Sequence, residues 1–291
     1  MQLLWRKAPL MLVVAILSVT GLFAHDASHA QNGKPRPEFT PHIGQEGKDV
    51  IWVPTPQALV ERMLQMAKVT PSDYVIDLGS GDGRTVITAA KKFGVKALGI
   101  EYNPDMVELS KRNAEIEGVA GRAEFIKADI FATDFSKATV ITMYLLPQLN
   151  LKLRPTLLDM KPGTRLVSHA FSMDDWQPDQ TESVEGRTAY LWIVPAKVEG
   201  TWQWSGSRNY EITLRQQFQL VEGLAKIDSK TVQFRNGRLQ ADKLTFTLIE
   251  FAGPNAIPRE FVGRVRGNTI EGTMKPPSNA GDEKWTARRV N

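Results

Sequence analysis

Across 291 residues there is no cysteine. Disulfides are excluded as a source of stability, and thiol usage says little about the compartment, because exported proteins without disulfides and many cytosolic proteins share this absence. Histidine is almost as scarce. The four histidines, His25, His29, His42 and His169, lack ligand spacing, so no metal centre is expected. A dominant charge is missing too. The 36 Lys and Arg against 32 Asp and Glu leave +4, and the basic residues are scattered. A nucleic-acid-binding surface would show a basic stripe with interleaved aromatics, so no nucleic-acid partner is expected. What is present, 42% hydrophobic and 23% charged residues, is ordinary for a chain that folds into one large or two modest domains.

One long uncharged run stands near the start. Arg6 and Lys7 precede the largely aliphatic stretch from Ala8 to Ala24, and Ser28-His29-Ala30 places small residues where a signal peptidase needs them. Residues 1–30 read as an export signal cleaved after Ala30, which gives a periplasmic location. The alternative is a retained membrane anchor, since the run sits at the short limit of the ~17 to 25 residues that span a bilayer. Residues 31–50 mix Gly, Pro, Asn and charges without apolar periodicity and read as a linker.

Tyr74-Val75-Ile76-Asp77-Leu78-Gly79-Ser80-Gly81-Asp82-Gly83-Arg84 carries the chemistry. Val75 to Leu78 form an apolar run suited to a strand covered on both faces. Three alternating glycines end it, and Thr85 to Phe93 have helical character. A dinucleotide fingerprint has the spacing G-x-G-x-x-G. Here the third glycine comes one residue early and Asp82 lies inside the loop, where it would repel a phosphate. Both features point to a cofactor without phosphate. A second strand, Ala97 to Glu101, ends in a carboxylate about twenty residues on, where α/β cofactor folds place the acceptor for ribose hydroxyls.

These residues resemble the class I S-adenosylmethionine (SAM) methyltransferases. The first motif is Asp77 to Gly83, the second Gly99-Ile100-Glu101-Tyr102-Asn103-Pro104 and the third Lys127-Ala128-Asp129-Ile130-Phe131. The flanks Val53-Pro54-Thr55-Pro56, Val140 to Pro147 and Gly163 to Phe171 are similar to a compact lysine methyltransferase family whose mitochondrial members modify the ATP synthase c-subunit. The resemblance implies SAM as cofactor and an amine acceptor, a protein lysine. It implies that Asp77 with the turn Gly79, Ser80, Gly81, Asp82 and Gly83 holds the methionine part, that Glu101, with Tyr102 and Asn103 beside it, holds the ribose, that Asp129 with Ile130 holds the adenine, and that Thr55 also faces the cofactor. The alternative is a non-catalytic exported nucleoside-binding or protein-interaction module.

The expected fold is a Rossmann-like, mostly parallel sheet with flanking helices over residues 51–195, followed by a small antiparallel β domain, a meander or partial barrel, over residues 196–291. Strands are expected near 74–78, 96–101, 123–127, 138–143 and 164–170, with helices near 57–67, 84–93, 104–118 and 148–159. Thr55 is expected to cap the first helix. Thr188 to Val194 reads as an antiparallel edge, and Met173 to Gly186 as a loop. Beyond Pro195, period-two runs at 210–214, 217–221, 244–248 and 261–265 are separated by Asn236-Gly237 and Gly267-Asn268 turns. Gly200-Thr201-Trp202 and Gly272-Thr273-Met274 look alike, a sign of strands meeting in a barrel, and Trp202, Trp204 and Trp285 read as core. Tyr144 lies beyond a strand end, where open sheets build their sites, and is the candidate for the acceptor channel; packing beside the cofactor is the other reading. His169 reads as a hydrogen-bonded core histidine rather than a base. Asp174 and Asp175 suit either the acceptor entrance or a solvated loop.

Overall fold

The computed structural model describes residues 39–252, 254–276 and 281–290. The expected export signal and the first part of the linker, residues 31–38, lie outside them. The first domain opens with helix α1 (Gln57–Met66) and continues as β1 (Tyr74–Leu78), α2 (Arg84–Phe93), β2 (Lys96–Glu101), α3 (Pro104–Ile116), β3 (Ala123–Lys127), β4 (Val140–Met143), α4 (Pro147–Leu158), β5 (Arg165–His169), β6 (Gln180–Val184) and β7 (Arg187–Ile193). The sheet order is β3-β2-β1-β4-β5-β7-β6, with β7 and β6 antiparallel. Four consecutive residues of β1 and all four of β4 are buried, because helices cover both faces of the central strands. The order reverses beside β1, so the crevice beyond the carboxyl ends of β1, β2 and β4 is where such a sheet holds a ligand.

Local chemistry sets the element ends. Asn103 caps α3 by accepting from the Asp105 and Met106 amides, and Pro104 occupies the first turn, where its missing N–H costs nothing. Thr55 does not cap α1. Pro56 holds that position with no side-chain cap, and the Thr55 hydroxyl is spent elsewhere. The expected loop from Met173 to Gly186 contains a strand, β6, which takes the sheet edge in place of β7.

The second domain is a closed eight-stranded barrel of β8 (Gly200–Ser205), β9 (Asn209–Gln217), β10 (Leu220–Ile227), β11 (Lys230–Gln240), β12 (Lys243–Ala252), β13 (Asn255–Arg266), β14 (Thr269–Lys275) and β15 (Glu283–Arg289). Each strand pairs with its neighbour in sequence, and β15 returns to β8 through Arg288–Gln203 and Arg289–Trp202. Closure therefore goes beyond the expected meander or partial barrel and leaves no sheet edge. Alternate residues point inward: Tyr210, Ile212 and Leu214 on β9, Phe261 and Val265 on β13, with Trp202, Trp204 and Trp285 buried among them. Trp285 fits because it lies over Gly263, where a Cβ would stand 2.8 Å from its ring.

Three readings in this half are corrected. The two Gly-Thr segments lie on β8 and β14, with β15 between them. Asn236-Gly237 is a bulge inside β11, marked by the register shift between Arg235 and Arg238, whereas Gly267-Asn268 does turn between β13 and β14. The run 217–221 is broken by a turn at Phe218 and Gln219 between β9 and β10.

Candidate active site

A cavity of about 280 Å3 opens at the carboxyl ends of β1, β2 and β4. It is lined by Thr55, Asp77, Gly79, Ser80, Gly81, Asp82, Glu101, Tyr102, Asn103, Asp129, Ile130 and Tyr144. Of the residues singled out in the sequence, Gly83 stands apart. It begins α2 and packs against Phe125 and Ser110, where a Cβ would fall within 2.9 Å of both side chains.

The glycine loop is fixed from three sides. Gly79 and Ser80 donate their amides to the Ile100 carbonyl, Ser110 Oγ donates to the Gly81 carbonyl at 2.8 Å, and Asn113 Nδ2 donates to the Asp82 carbonyl at 3.0 Å. Gly81, with φ +54, lets the loop approach Trp52 so closely that a Cβ would lie 2.6 Å from the indole nitrogen. Glu101 accepts the Gly81 amide with one oxygen and the Asn103 amide with the other, each at 2.9 Å.

Asp77 is buried and accepts from Thr142 Oγ1 at 2.6 Å. Burial pushes its carboxyl up to about 7, helped by the nearby charges of Glu101 and Asp82 and opposed by hydrogen bonds from Thr142 and Thr85. Asp82 differs from its sequence reading. Its carboxylate is paired with Arg84 at 2.5 Å, and Arg84 also donates to the Thr55 carbonyl at 2.9 Å. Repulsion of a phosphate by a free Asp82 is thus not how this loop selects, although no lining arginine is left over to attract one.

Asp129 accepts from the Phe131 amide at 2.9 Å and from Lys48 Nζ at 2.7 Å, and both bonds hold its carboxyl below the usual range, the lysine most strongly. Lys48 also stands 4.9 Å from the centre of the Tyr102 ring. Gln45 to Val50, expected as part of a linker, line the cavity as one arm and the turn of a small hairpin closed by Gly44–Trp52 and Gly47–Val50 backbone bonds. Sequence patterning missed this element because it has no apolar alternation of its own.

The other wall follows β4 and β5. Tyr144, Leu145 and Leu146 line it together with Phe171, 6.0 Å from Tyr144 between ring centres. Behind Tyr144, at 3.8 Å, lies the ring of His169, whose Nδ1 shares a 3.0 Å hydrogen bond with Thr55 Oγ1. Burial, with Arg187 nearby, lowers His169 to about 4, so it is a neutral core histidine. Asp174 and Asp175 are exposed and do not line the cavity, and Asp175 pairs with Arg154.

These groups fit the cofactor that the motifs imply. An adenosyl sulfonium presents hydroxyls, an exocyclic amine and an ammonium, all hydrogen-bond donors, and the acids Asp77, Glu101 and Asp129 that line the crevice are acceptors suited to them. The apolar side chains of Ile100, Met106 and Ile130 line the same crevice and would suit its flat, apolar part. Among the described residues no cluster of His, Asp or Glu could hold a metal ion.

The chain is similar to known methyltransferases. The ANTKMT methyltransferase domain matches residues 77–180. A protein-lysine N-methyltransferase of Saccharolobus islandicus is 44% identical over 162 residues, covering 54% of this chain and 96% of that protein. The lysine N-methyltransferase of the ATP synthase c-subunit from Homo sapiens is 34% identical over 142 residues, covering 48% of this chain and 60% of that one. Among solved structures, an RNA methyltransferase from Salinibacter ruber in complex with S-adenosyl-L-homocysteine is 50% identical, covers 50% of this chain and 96% of that chain, and has a TM-score of 0.49.

Proposed function

The chain belongs to the protein-lysine N-methyltransferase family of SAM-dependent enzymes, and from that premise we propose that it methylates the ε-amine of a lysine in a protein. The observation that carries the reading is the division of the cavity along the sheet. Carboxylates stand past β1, β2 and β3, whereas the aromatics Tyr144 and Phe171 stand past β4 and β5. SAM supplies an electrophilic methyl group on a sulfonium, open to in-line attack. Asp77 and the glycine loop hold the amino-acid part, Glu101 the ribose hydroxyls, and Asp129 with Ile130 the adenine. Tyr144 and Phe171 flank the methylene stem of the lysine, so that the amine arrives aligned and shielded from water.

The proposal extends to location. Arg6, Lys7 and the uncharged run after them direct export with cleavage after Ala30, and the acceptor is then an envelope protein. A mature N-terminus at Gln31 in a periplasmic fraction supports this; intact Met1 in the cytosol overturns it.

Incubation of the chain with radiolabelled SAM and a cell-envelope extract, followed by acid hydrolysis, tests the chemistry. Label is expected in methyl-lysine, with Tyr144→Ala lowering transfer about a hundredfold through misalignment while cofactor affinity stays within about threefold. Label confined to another residue type overturns the lysine assignment.

A further inference from the structure

The barrel meets the first domain through the tip of the β9–β10 hairpin. Phe218 sits there at φ 54, a left-handed angle that a bulky residue adopts only when its surroundings enforce it. Its ring leaves the barrel and stacks on Trp176, with centroids 5.6 Å apart and planes within 14°. The Arg154 guanidinium lies 5.4 Å from the same ring. Gln219, buried, donates to the Gln177 carbonyl at 2.8 Å, and Gln216 donates to the Phe218 carbonyl at 2.8 Å, which holds the tip in place.

What the tip touches is the segment joining β5 to β6. Trp176 is fully buried there, donating its amide to the Met173 carbonyl at 3.2 Å and accepting from Trp192 Nε1 at 2.7 Å. Arg154 donates to the Met173 carbonyl at 3.0 Å, and Asn150, one turn earlier on α4, donates to the Phe171 and Ser172 carbonyls. Phe171 begins this segment and lines the cavity beside Tyr144. A continuous set of contacts therefore runs from the barrel hairpin to the aromatic wall.

We infer that Phe218 is a positioning residue for the acceptor side of the active site. Packed against Trp176 and Arg154, it fixes the segment that sets Phe171 against Tyr144, and so the barrel shapes the passage through which the acceptor enters. The inference rests on the assignment of that wall to the acceptor. It separates from simple docking, because Arg238–Asp179 at 3.2 Å and Lys197–Asp159 also join the two domains.

The test uses the full chain and its Phe218→Ala, Phe218→Tyr and Arg238→Ala variants, with Phe218→Leu replacing alanine if that variant does not fold. Calorimetry gives SAM affinity, steady-state kinetics give kcat and KM for the protein acceptor, and hydrogen exchange reports on the amides of residues 171–176. For Phe218→Ala, kcat/KM for the acceptor is expected to fall about tenfold or more, SAM affinity to stay within about twofold, and exchange at 171–176 to quicken while β1 is unchanged. Tyrosine restores the wild-type values, and Arg238→Ala stays close to them. Unchanged exchange at 171–176, an equal loss of SAM affinity, or no rescue by tyrosine overturns the inference. If the wild type labels no lysine, the functional assignment fails by itself, and the exchange data still decide the role of Phe218.

Discussion

Glu101 reaches back from the end of β2 to accept the Gly81 amide at 2.9 Å, so the acid assigned to the ribose also pins the loop assigned to the methionine part. The two halves of the cofactor site are thereby one unit. Glu101→Ala should remove a ligand contact and slacken the glycine loop together, weakening SAM binding about tenfold or more, or ~1.4 kcal/mol, in a titration calorimeter. Affinity unchanged by this variant would detach Glu101 from the site.

Asp77 gives the site a pH dependence. Its carboxyl titrates at about 7 in the fold against 3.8 ordinarily, so between those values the folded chain keeps a proton that the unfolded chain has released. Raising pH through that window costs stability. Asp77→Asn should therefore melt higher than the wild type at pH 8, by roughly 2 to 4 °C for each kcal/mol recovered. The ligand ammonium needs the ionised acid, so wild-type SAM affinity should climb from pH 6 to pH 8, and the asparagine variant should lose that climb.

His169 acts in the opposite sense. Its imidazole is held near 4 in the fold against 6.5 ordinarily, so between those values the unfolded chain takes up a proton that the folded chain refuses. Stability is lost as pH falls through that range, with a slope of at most about 1.4 kcal/mol per pH unit from this group. His169→Asn, which keeps a partner for Thr55, should flatten the decline in melting temperature between pH 6.5 and pH 4.5. An equal decline in both proteins would count against a neutral His169.

Lys48 occupies Asp129, the acid proposed for the adenine, and lies over the Tyr102 ring. Lys48→Met should free that carboxylate and tighten SAM binding by roughly two- to fivefold, the range of an exposed ion pair. The gain should vanish in 1 M salt, where the Debye length shrinks to about 3 Å. Weaker binding by the methionine variant would mean that Lys48 supports the cofactor instead of competing with it.

The sheet and its cavity were legible because their signals are local. An apolar run ending in Asp77, a glycine turn and a second run ending in Glu101 write strand, loop and strand within a short stretch. What stayed hidden depends on distant partners. The strand Gln180–Val184 is polar and half exposed, so it carries no apolar rhythm and exists because β7 offers a ladder. The Thr55–His169 bond joins residues 114 positions apart. Asn236-Gly237 reads as a hairpin turn, yet tertiary pairing makes it a bulge in a longer strand. Phe218 falls inside the run 217–221 read as period-two, and only the fold shows it at a turn, stacked on Trp176.

The ring of strands has one thin link. Ten register pairs zip β12 to β13, but β15 is stitched to β8 by two. When heat loosens this half of the molecule, the C-terminal stave should lift first. Water would then reach Trp202 and Trp285, and their emission would redden while the other staves still hold together.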